Sequence, residues 1–279
     1  MFFRISFLNL QIIKYSAIKR TIIMKKNKRL IIKSIELLND NNVLVKLIDN
    51  ETLPEILPGQ FVQVKVEGSP KTFLRRPISV NFYDVQTNEL WLLVQMRGDG
   101  TKTVGKLHEG DMLEVLFPLG NGFSLNVDEG ERVLLVGGGV GTAPLLFYGK
   151  YICEKGGIPL FLLGGKTAND VLQLDLFEQY GDVFVTTEDG SAGEKGFVTQ
   201  HSMLSKPTFT RISVCGPKPM MMAVAQYAIQ TNVPCEVSLE NLMACGLGAC
   251  LCCVEKTVKG NVCVCTDGPV FNINQLTWF

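Results

Sequence analysis

The chain has 279 residues, more than one compact core usually holds, so two or more domains are expected. Its 27 Lys and Arg offset 27 Asp and Glu, and with no basic surplus the charge gives no support to nucleic-acid binding. At 46% hydrophobic and 19% charged residues the composition is globular, and no stretch reaches the ~18 unbroken apolar residues of a membrane span.

Residues 1–23 are apolar and basic, with Arg4, Lys14, Lys19 and Arg20. Their uncharged run, 5–13, is too short to span a bilayer and no A-x-A-like cleavage site follows it. The segment MKKNKRLIIK from Met24 reads as an ordinary N-terminus, so residues 1–23 are expected to be an upstream extension, a misassigned start, with no part in the fold, and 1–27 are set apart from a first domain that begins at 28.

From residue 28 to 126 the pattern is short strands: 31–38, 43–48, 61–67, 90–96 and 112–117, all rich in Val, Ile and Leu. In the third, Val62, Val64 and Val66 alternate with Gln63, Lys65 and Glu67, the period of a half-buried strand. Pro58-Gly59, Gly98-Asp99-Gly100, Glu109-Gly110-Asp111 and Gly120-Asn121-Gly122 punctuate them. Close-spaced strands with little helical pattern predict an antiparallel barrel or sandwich.

Between 127 and 234 strands and helices alternate. Residues 133–136, 158–163, 183–186, 212–215 and 235–239 read as buried strands. Helices are expected from the glycine turn at 137–142 to about 155, from a capping box of Thr167 and Asp170 to about Tyr180, and over 219–230. This predicts a parallel sheet with helices on both faces. Residues 235–279, rich in Cys and Gly, are expected to form a third, smaller module.

Six of the nine cysteines, Cys245, Cys250, Cys252, Cys253, Cys263 and Cys265, lie within 21 residues. Such crowding of an odd total, with no cleavable signal, does not fit a secreted disulfide framework; it fits metal binding in a reducing cytoplasm. The spacing Cys245-x4-Cys250-x2-Cys253 with a downstream cysteine matches the C-x4-C-x2-C…C pattern of a plant-type 2Fe–2S centre. Gly246 and Gly248 let the loop wrap tightly, because glycine takes positive φ without steric cost. His108 and His201 lie far upstream, so no local histidine is available. A four-cysteine zinc site or unliganded buried thiols are the alternatives, and the spacing leaves Cys263 or Cys265 as the fourth ligand. Cysteines outside the ligand set, Cys252 among them, are expected to pack in the interior.

Gly137-Gly138-Gly139-Val140-Gly141-Thr142-Ala143-Pro144 follows a strand and opens a helix, which directs N–H groups and a positive helix end at a phosphate. It does not fit G-x-G-x-x-G, and a tight turn without ligand is the alternative. Lys166 follows Gly164-Gly165 where an acidic residue for a ribose is common, leaving NAD and NADP open. Arg75-Arg76-Pro77-Ile78-Ser79 offers guanidinium, hydroxyl and backbone N–H groups for a pyrophosphate and a flavin edge; an exposed edge-strand Arg pair is the alternative.

Taken in order, Arg76-Pro77-Ile78-Ser79, Gly98-Asp99-Gly100-Thr101, the 137–144 turn and Cys215-Gly216-Pro217-Lys218-Pro219-Met220 resemble the ferredoxin–NADP reductase superfamily. The tail, Met243-Ala244-Cys245-Gly246-x-Gly248-x-Cys250-x-x-Cys253 with Cys265-Thr266-Asp267-Gly268-Pro269-Val270-Phe271, resembles the electron-transfer subunits of class 1B dihydroorotate dehydrogenases. The resemblance implies an antiparallel FAD-binding β-barrel over 28–126, a parallel-sheet NAD-binding α/β domain over 127–234, and a 2Fe–2S module over 235–279. It places Arg76, Pro77, Ile78, Ser79, Val94, Gln95, Met96, Gly100 and Thr101 at FAD; Gln95 departs from a position often basic in relatives. It places Gly138, Gly139, Gly141, Thr142, Pro144, Cys215, Gly216, Pro217 and Met220 at the nicotinamide nucleotide. The ligand set becomes Cys245, Cys250, Cys253 and Cys265, because the family's downstream cysteine stands at or next to the start of D-G-P-V-F. Implied too are NAD as exchanged substrate, a separate FMN-containing dihydroorotate dehydrogenase catalytic subunit in a heterotetramer of two of each, a cytoplasmic location, and no general acid or base. An NAD(P)H-dependent ferredoxin or sulfide reductase subunit would share these motifs. A zinc-stabilised nucleotide-binding module without redox role is the reading from another class.

Overall fold

The computed structural model describes residues 25–279; the expected extension lies outside the described residues. Strands β1 (Lys26–Asn39), β2 (Asn42–Ile48), β3 (Phe61–Val64), β4 (Arg76–Asp84) and β5 (Glu89–Gln95), a short helix α1 (Asp99–Val104) and strand β6 (Met112–Leu119) form the first body. Its strands close into a barrel in the order β1-β2-β5-β4-β3-β6, every pair antiparallel. Alternation decides what fills it. Val43, Val45, Leu47, Leu90, Leu92, Val94, Val62, Val64, Val115 and Phe117 recur at every second position and share one core. Lys26 and Asn27, set apart above from the first domain, belong to the barrel instead: they pair with Phe117 and Leu116 on β6.

Next come β7 (Arg132–Gly138), a 3-10 turn (Gly139–Thr142), α2 (Ala143–Glu154), β8 (Ile158–Gly165), α3 (Leu174–Glu178), β9 (Asp182–Thr187), β10 (Glu194–Lys195), β11 (Arg211–Cys215), α4 (Lys218–Thr231) and β12 (Cys235–Ser238). The tail adds the hairpin β13 (Val254–Thr257) and β14 (Gly260–Cys263), helix α5 (Val264–Asp267) and β15 (Val270–Asn272). The second sheet runs β10-β9-β8-β7-β11-β12-β15. Strand β7 shows why both faces need helices. Val133 and Leu135 pack with Leu145, Leu146 and Ile152 of α2, whereas Leu134 and Val136 pack with Met221, Val224 and Ala228 of α4.

Strands β7 to β12 all pair in parallel, as expected, and β15 from the cysteine-rich tail adds antiparallel to β12 (Val237 opposite Phe271), fusing the tail to the nucleotide-type sheet. The helix expected over 167–180, by contrast, is broken. The Thr167–Asp170 box forms as read, with the Thr167 N–H donating to Asp170 Oδ2 at 2.9 Å, but it closes a single 3-10 turn. Gln173 then adopts φ 57°, and its amide exchanges two 3.0 Å hydrogen bonds with buried Asn81 of β4. That tie to the barrel, with Leu172 packed on Leu93 and Ala143, holds the chain out of helical register until Leu174.

Candidate functional site

The first cluster of motif residues lies on β4 and its neighbours. In the β3–β4 ladder Phe61 stands opposite Ser79, Gln63 opposite Pro77 and Val64 opposite Arg76. Directly opposed residues share a face, so with Val62 and Val64 in the barrel core, Pro77 and Ser79 lie with Phe61 and Gln63 on the outside. The two arginines separate. Arg75 pairs with Glu114, which also accepts from Lys65 at 3.0 Å and Asn27 at 3.1 Å; these donors hold its carboxyl at about 2. Among the described residues Arg76 meets no carboxylate; its guanidinium reaches only the Leu74 carbonyl, at 3.0 Å, and that of Arg75.

Arg76 stands beside the Gly98–Thr101 turn, where the Thr101 hydroxyl accepts from the Arg97 N–H at 3.0 Å. A Cβ on Gly100 would lie 3.1 Å from Arg76 Nε and 3.0 Å from Thr72 Cγ2, so glycine keeps the guanidinium against the backbone of α1. The structure therefore brings Arg76–Ser79 and Gly100-Thr101 together around an uncommitted cation. Val94 points into the barrel core, Gln95 is exposed at the end of β5, and Met96 packs beneath Gly105. Of these three, only the backbone and Gln95 are available to a ligand on this surface.

The second cluster sits at the ends of β7 and β11. A Cβ on Gly141 would come 2.5 Å from Gly216 Cα and 2.7 Å from the Cys215 carbonyl; on Gly138 it would come 2.5 Å from Met220 Sδ and 3.2 Å from Pro217 Cδ. The two loops thus touch backbone to backbone, uniting Gly138, Gly141, Cys215, Gly216, Pro217 and Met220. Thr142 turns inward and donates its hydroxyl to the Gly139 carbonyl at 3.0 Å, while Pro144 opens α2 without needing an N–H partner. Gly139, at φ 55°, has nothing within 4 Å of where a Cβ would project, so the cradle is open there. Burial pushes the Cys215 thiol well up, which keeps it neutral.

The cysteine loop bears on both bodies. Gly246 and Gly248 have φ 69° and 81°, as the tight wrap requires, and Leu251 shares that left-handed conformation at φ 58°. Backbone donors point at sulfur: Leu247 N–H to Cys245 Sγ at 3.3 Å, Gly248 N–H to Cys265 Sγ at 3.2 Å, and Cys265 N–H to Cys253 Sγ at 3.4 Å. The Leu247 N–H, foremost, brings the Cys245 thiol down to about 6, whereas burial raises that of Cys265. The Cys250 side chain bears on the Cys245 thiol and the Cys253 side chain on that of Cys265, so the four sulfurs fall into two neighbouring pairs with no disulfide among them. Among the described residues no three Cys, His, Asp or Glu side chains surround a single ion position. Four thiols in two neighbouring pairs, three of them with an N–H group aimed at sulfur, fit a two-iron cluster, which takes two protein sulfurs per iron. Cys252 is exposed and Cys263 half-buried, so the interior packing expected of Cys252 is not what the structure has.

Two anchors fix this loop. Asn121, after β6, donates its amide to the Thr266 and Asp267 carbonyls at 2.8 and 3.1 Å. Gly246 lies on Gln63 of β3: a Cβ there would be 2.9 Å from Gln63 Cγ. Sequence reasoning missed both anchors. The Gly120-Asn121-Gly122 turn was legible only as a turn, and Gln63 only as the polar half of an alternating strand.

Residues 240–277 match the family described as the iron-sulfur cluster binding domain of dihydroorotate dehydrogenase B, and residues 135–226 match the oxidoreductase NAD-binding domain. The dihydroorotate dehydrogenase B (NAD(+)) electron transfer subunit of Caldanaerobacter subterraneus subsp. tengcongensis is 44% identical over 221 residues, 77% of this chain and 84% of that one. The subunit of the same name from Shouchella clausii is 38% identical over 260 residues, 90% of this chain and 98% of that one. Among solved structures, a chain of an NADH-dependent reduced ferredoxin-NADP oxidoreductase superposes with a TM-score of 0.81 at 28% identity, covering 91% of this chain and 92% of that one. The ferredoxin reductase of carbazole 1,9a-dioxygenase shares the fold, with a TM-score of 0.65 at 21% identity over 76% of this chain and 68% of that one. With the barrel, the glycine cradle and the paired thiols in one frame, the chain belongs to the family of dihydroorotate dehydrogenase B (NAD(+)) electron transfer subunits.

Proposed function

We propose that the chain carries electrons between an FMN-containing dihydroorotate dehydrogenase catalytic subunit and NAD⁺, with FAD and a 2Fe–2S cluster as resident carriers. The observation that supports this most is the placing of the paired thiol loop directly on the barrel strand next to Arg76–Ser79. A bound FAD would supply hydride chemistry toward nicotinamide and one-electron chemistry toward the cluster, which is what a two-electron to one-electron converter needs.

The chain's own residues bind and orient. Arg76 would hold the flavin's pyrophosphate with Gly100 and Thr101, and Pro77 and Ser79 would line the flavin with the backbone of Ile78, whose side chain packs on the barrel core, beside the backbone of Val94, Gln95 and Met96. Gly138, Gly139 and Gly141 take the NAD phosphates at the opening over Gly139, a turn that Thr142 and Pro144 shape from within, and Gly216, Pro217 and Met220 face the nicotinamide with Cys215 buried beneath them. Cys245, Cys250, Cys253 and Cys265 would hold the cluster, one neighbouring pair to each iron. Functional boundaries fall near 126 and 234, with the assembly a cytoplasmic heterotetramer of two of each subunit. No side chain is assigned as general acid or base.

Likeness to a ferredoxin-NADP oxidoreductase chain favours one competing reading, a ferredoxin or sulfide reductase component. Cys250→Ser separates the roles. Electron transfer between NADH and the co-purified catalytic subunit should be abolished, while NADH oxidation by dyes that draw from the flavin should stay within about twofold. Equal loss of both would make the cluster structural. A chain that co-purifies with a ferredoxin and not with a dihydroorotate-oxidising subunit would favour the rival.

A further inference from the structure

Gln63 is fully buried, yet among the described residues neither its amide nitrogen nor its amide oxygen has a hydrogen-bond partner. Asn42, at the start of β2, lacks a partner at its oxygen alone, and the buried amides of Gln60 and Asn81 are satisfied. Gln60 donates to the Gly120 carbonyl at 2.9 Å and accepts from the Leu57 N–H at 2.8 Å, and Asn81 is matched with Gln173. Leaving a buried amide unpaired costs about 1–3 kcal/mol, so a position like this is one where a partner outside the polypeptide belongs.

Its place in the fold says what that partner is. Gln63 shares the outer face of the barrel with Pro77, its cross-strand neighbour in the Arg76–Ser79 segment. On its other side lies the cysteine loop: a Cβ on Gly246 would come 2.9 Å from Gln63 Cγ and 3.2 Å from Nε2. The amide nitrogen therefore lies against the residue that follows Cys245, between the strand assigned to the flavin and the loop assigned to the cluster. Backbone N–H groups reach the Cys245, Cys253 and Cys265 sulfurs. A side-chain N–H entering from β3 would be a further donor, supplied by the flavin-side body.

We propose that Gln63 is a positioning residue whose amide N–H donates to a sulfur of the iron–sulfur cluster, tying the cluster loop to the flavin-bearing barrel and raising the cluster's reduction potential. The inference rests on the cluster assignment above. Reduction adds negative charge to the cluster, and a donor aimed at its sulfur stabilises that charge. Gly246 is required for the same contact, since any side chain there would displace the amide.

The test uses the complex of this chain with its catalytic subunit. In Gln63→Met, close in volume but without a donor, the cluster midpoint potential followed by electron paramagnetic resonance should fall by about 59 mV, a tenfold change for one electron. Its g values should shift, while the flavin midpoint stays put. A cluster potential and g values equal to wild type, or a shift confined to the flavin, would overturn the proposal. A second measurement needs no variant. With glutamine side chains labelled with nitrogen-15, the reduced wild-type cluster should show a nitrogen-15 coupling in pulsed spectra. A cluster present without that coupling overturns the Gln63 assignment alone; wild-type protein without iron and labile sulfide overturns the cluster reading and this proposal together.

Discussion

Gly141→Ala tests the nucleotide cradle at its tightest point. The added Cβ would lie 2.5 Å from Gly216 Cα, 2.7 Å from Gly216 N and 2.7 Å from the Cys215 carbonyl, all backbone atoms with no rotamer to change. Ordinary carbon contacts need about 3.5 Å, so the two loops must part by about 1 Å. Overpacking of this kind costs about 1–3 kcal/mol, and at about 2–4 °C per kcal/mol the melting temperature should fall by roughly 2–12 °C. A 1 Å displacement at a binding site can cost up to about a hundredfold, so KM for NADH should rise strongly in a dye-reduction assay while flavin and iron contents stay at wild-type levels. Gly139→Ala is the comparison. Its φ of 55° costs an alanine about 1 kcal/mol, but no protein atom stands within 4 Å of the new methyl. It should melt only about 2–4 °C below wild type and still weaken NADH, because the methyl fills the open side of the cradle. Wild-type KM and melting temperature for Gly141→Ala, or a larger melting shift for Gly139→Ala, would refute the reasoning.

The two arginines should part company: Arg76→Ala weakens retention of FAD by about 10–100-fold, the loss of one charge-assisted contact, whereas Arg75→Ala keeps its flavin and loses about 1 kcal/mol of stability. Flavin absorbance after gel filtration and thermal melts read the two effects. Glu114 sets an acid limit. Its carboxyl is held at about 2, below the ordinary 4.5, by hydrogen bonds from Lys65, Asn27 and Arg75, so its stabilisation is complete above about 4.5 and is lost as pH falls through about 2. Lys65 is about half exposed, at 48%, which limits the contribution to about 1–2 kcal/mol. The gap in urea-unfolding stability between wild type and Glu114→Gln should therefore be widest near pH 6 and narrow as pH drops below 4.5.

Much of this was legible in the chain itself, for identifiable reasons. Buried strands such as β7 and β8 announce themselves as apolar runs between glycine turns, and the cysteine spacing is strict because thiolates must converge within one loop. What escaped is tertiary. The Gln63 position alternates with Val62 and Val64 and looks like a solvent-facing residue, but the cysteine loop, nearly two hundred residues downstream, covers that face. The Thr167–Asp170 box is a true helix-start signal, overridden when Gln173 binds Asn81 across the two bodies. Strand β15 is three residues long and gains its identity only from the exposed edge of β12. Arg75 and Arg76 are alike in sequence, and only the approach of Glu114 from β6 commits one and frees the other.

The central claim, a flavin and a two-iron cluster carried on one chain, is tested most directly by the visible spectrum and metal content of anaerobically purified protein. Flavin and iron–sulfur absorbance, two irons and two labile sulfides per chain, and a low-temperature paramagnetic signal on reduction are the expected result. A colourless protein with stoichiometric zinc would contradict it.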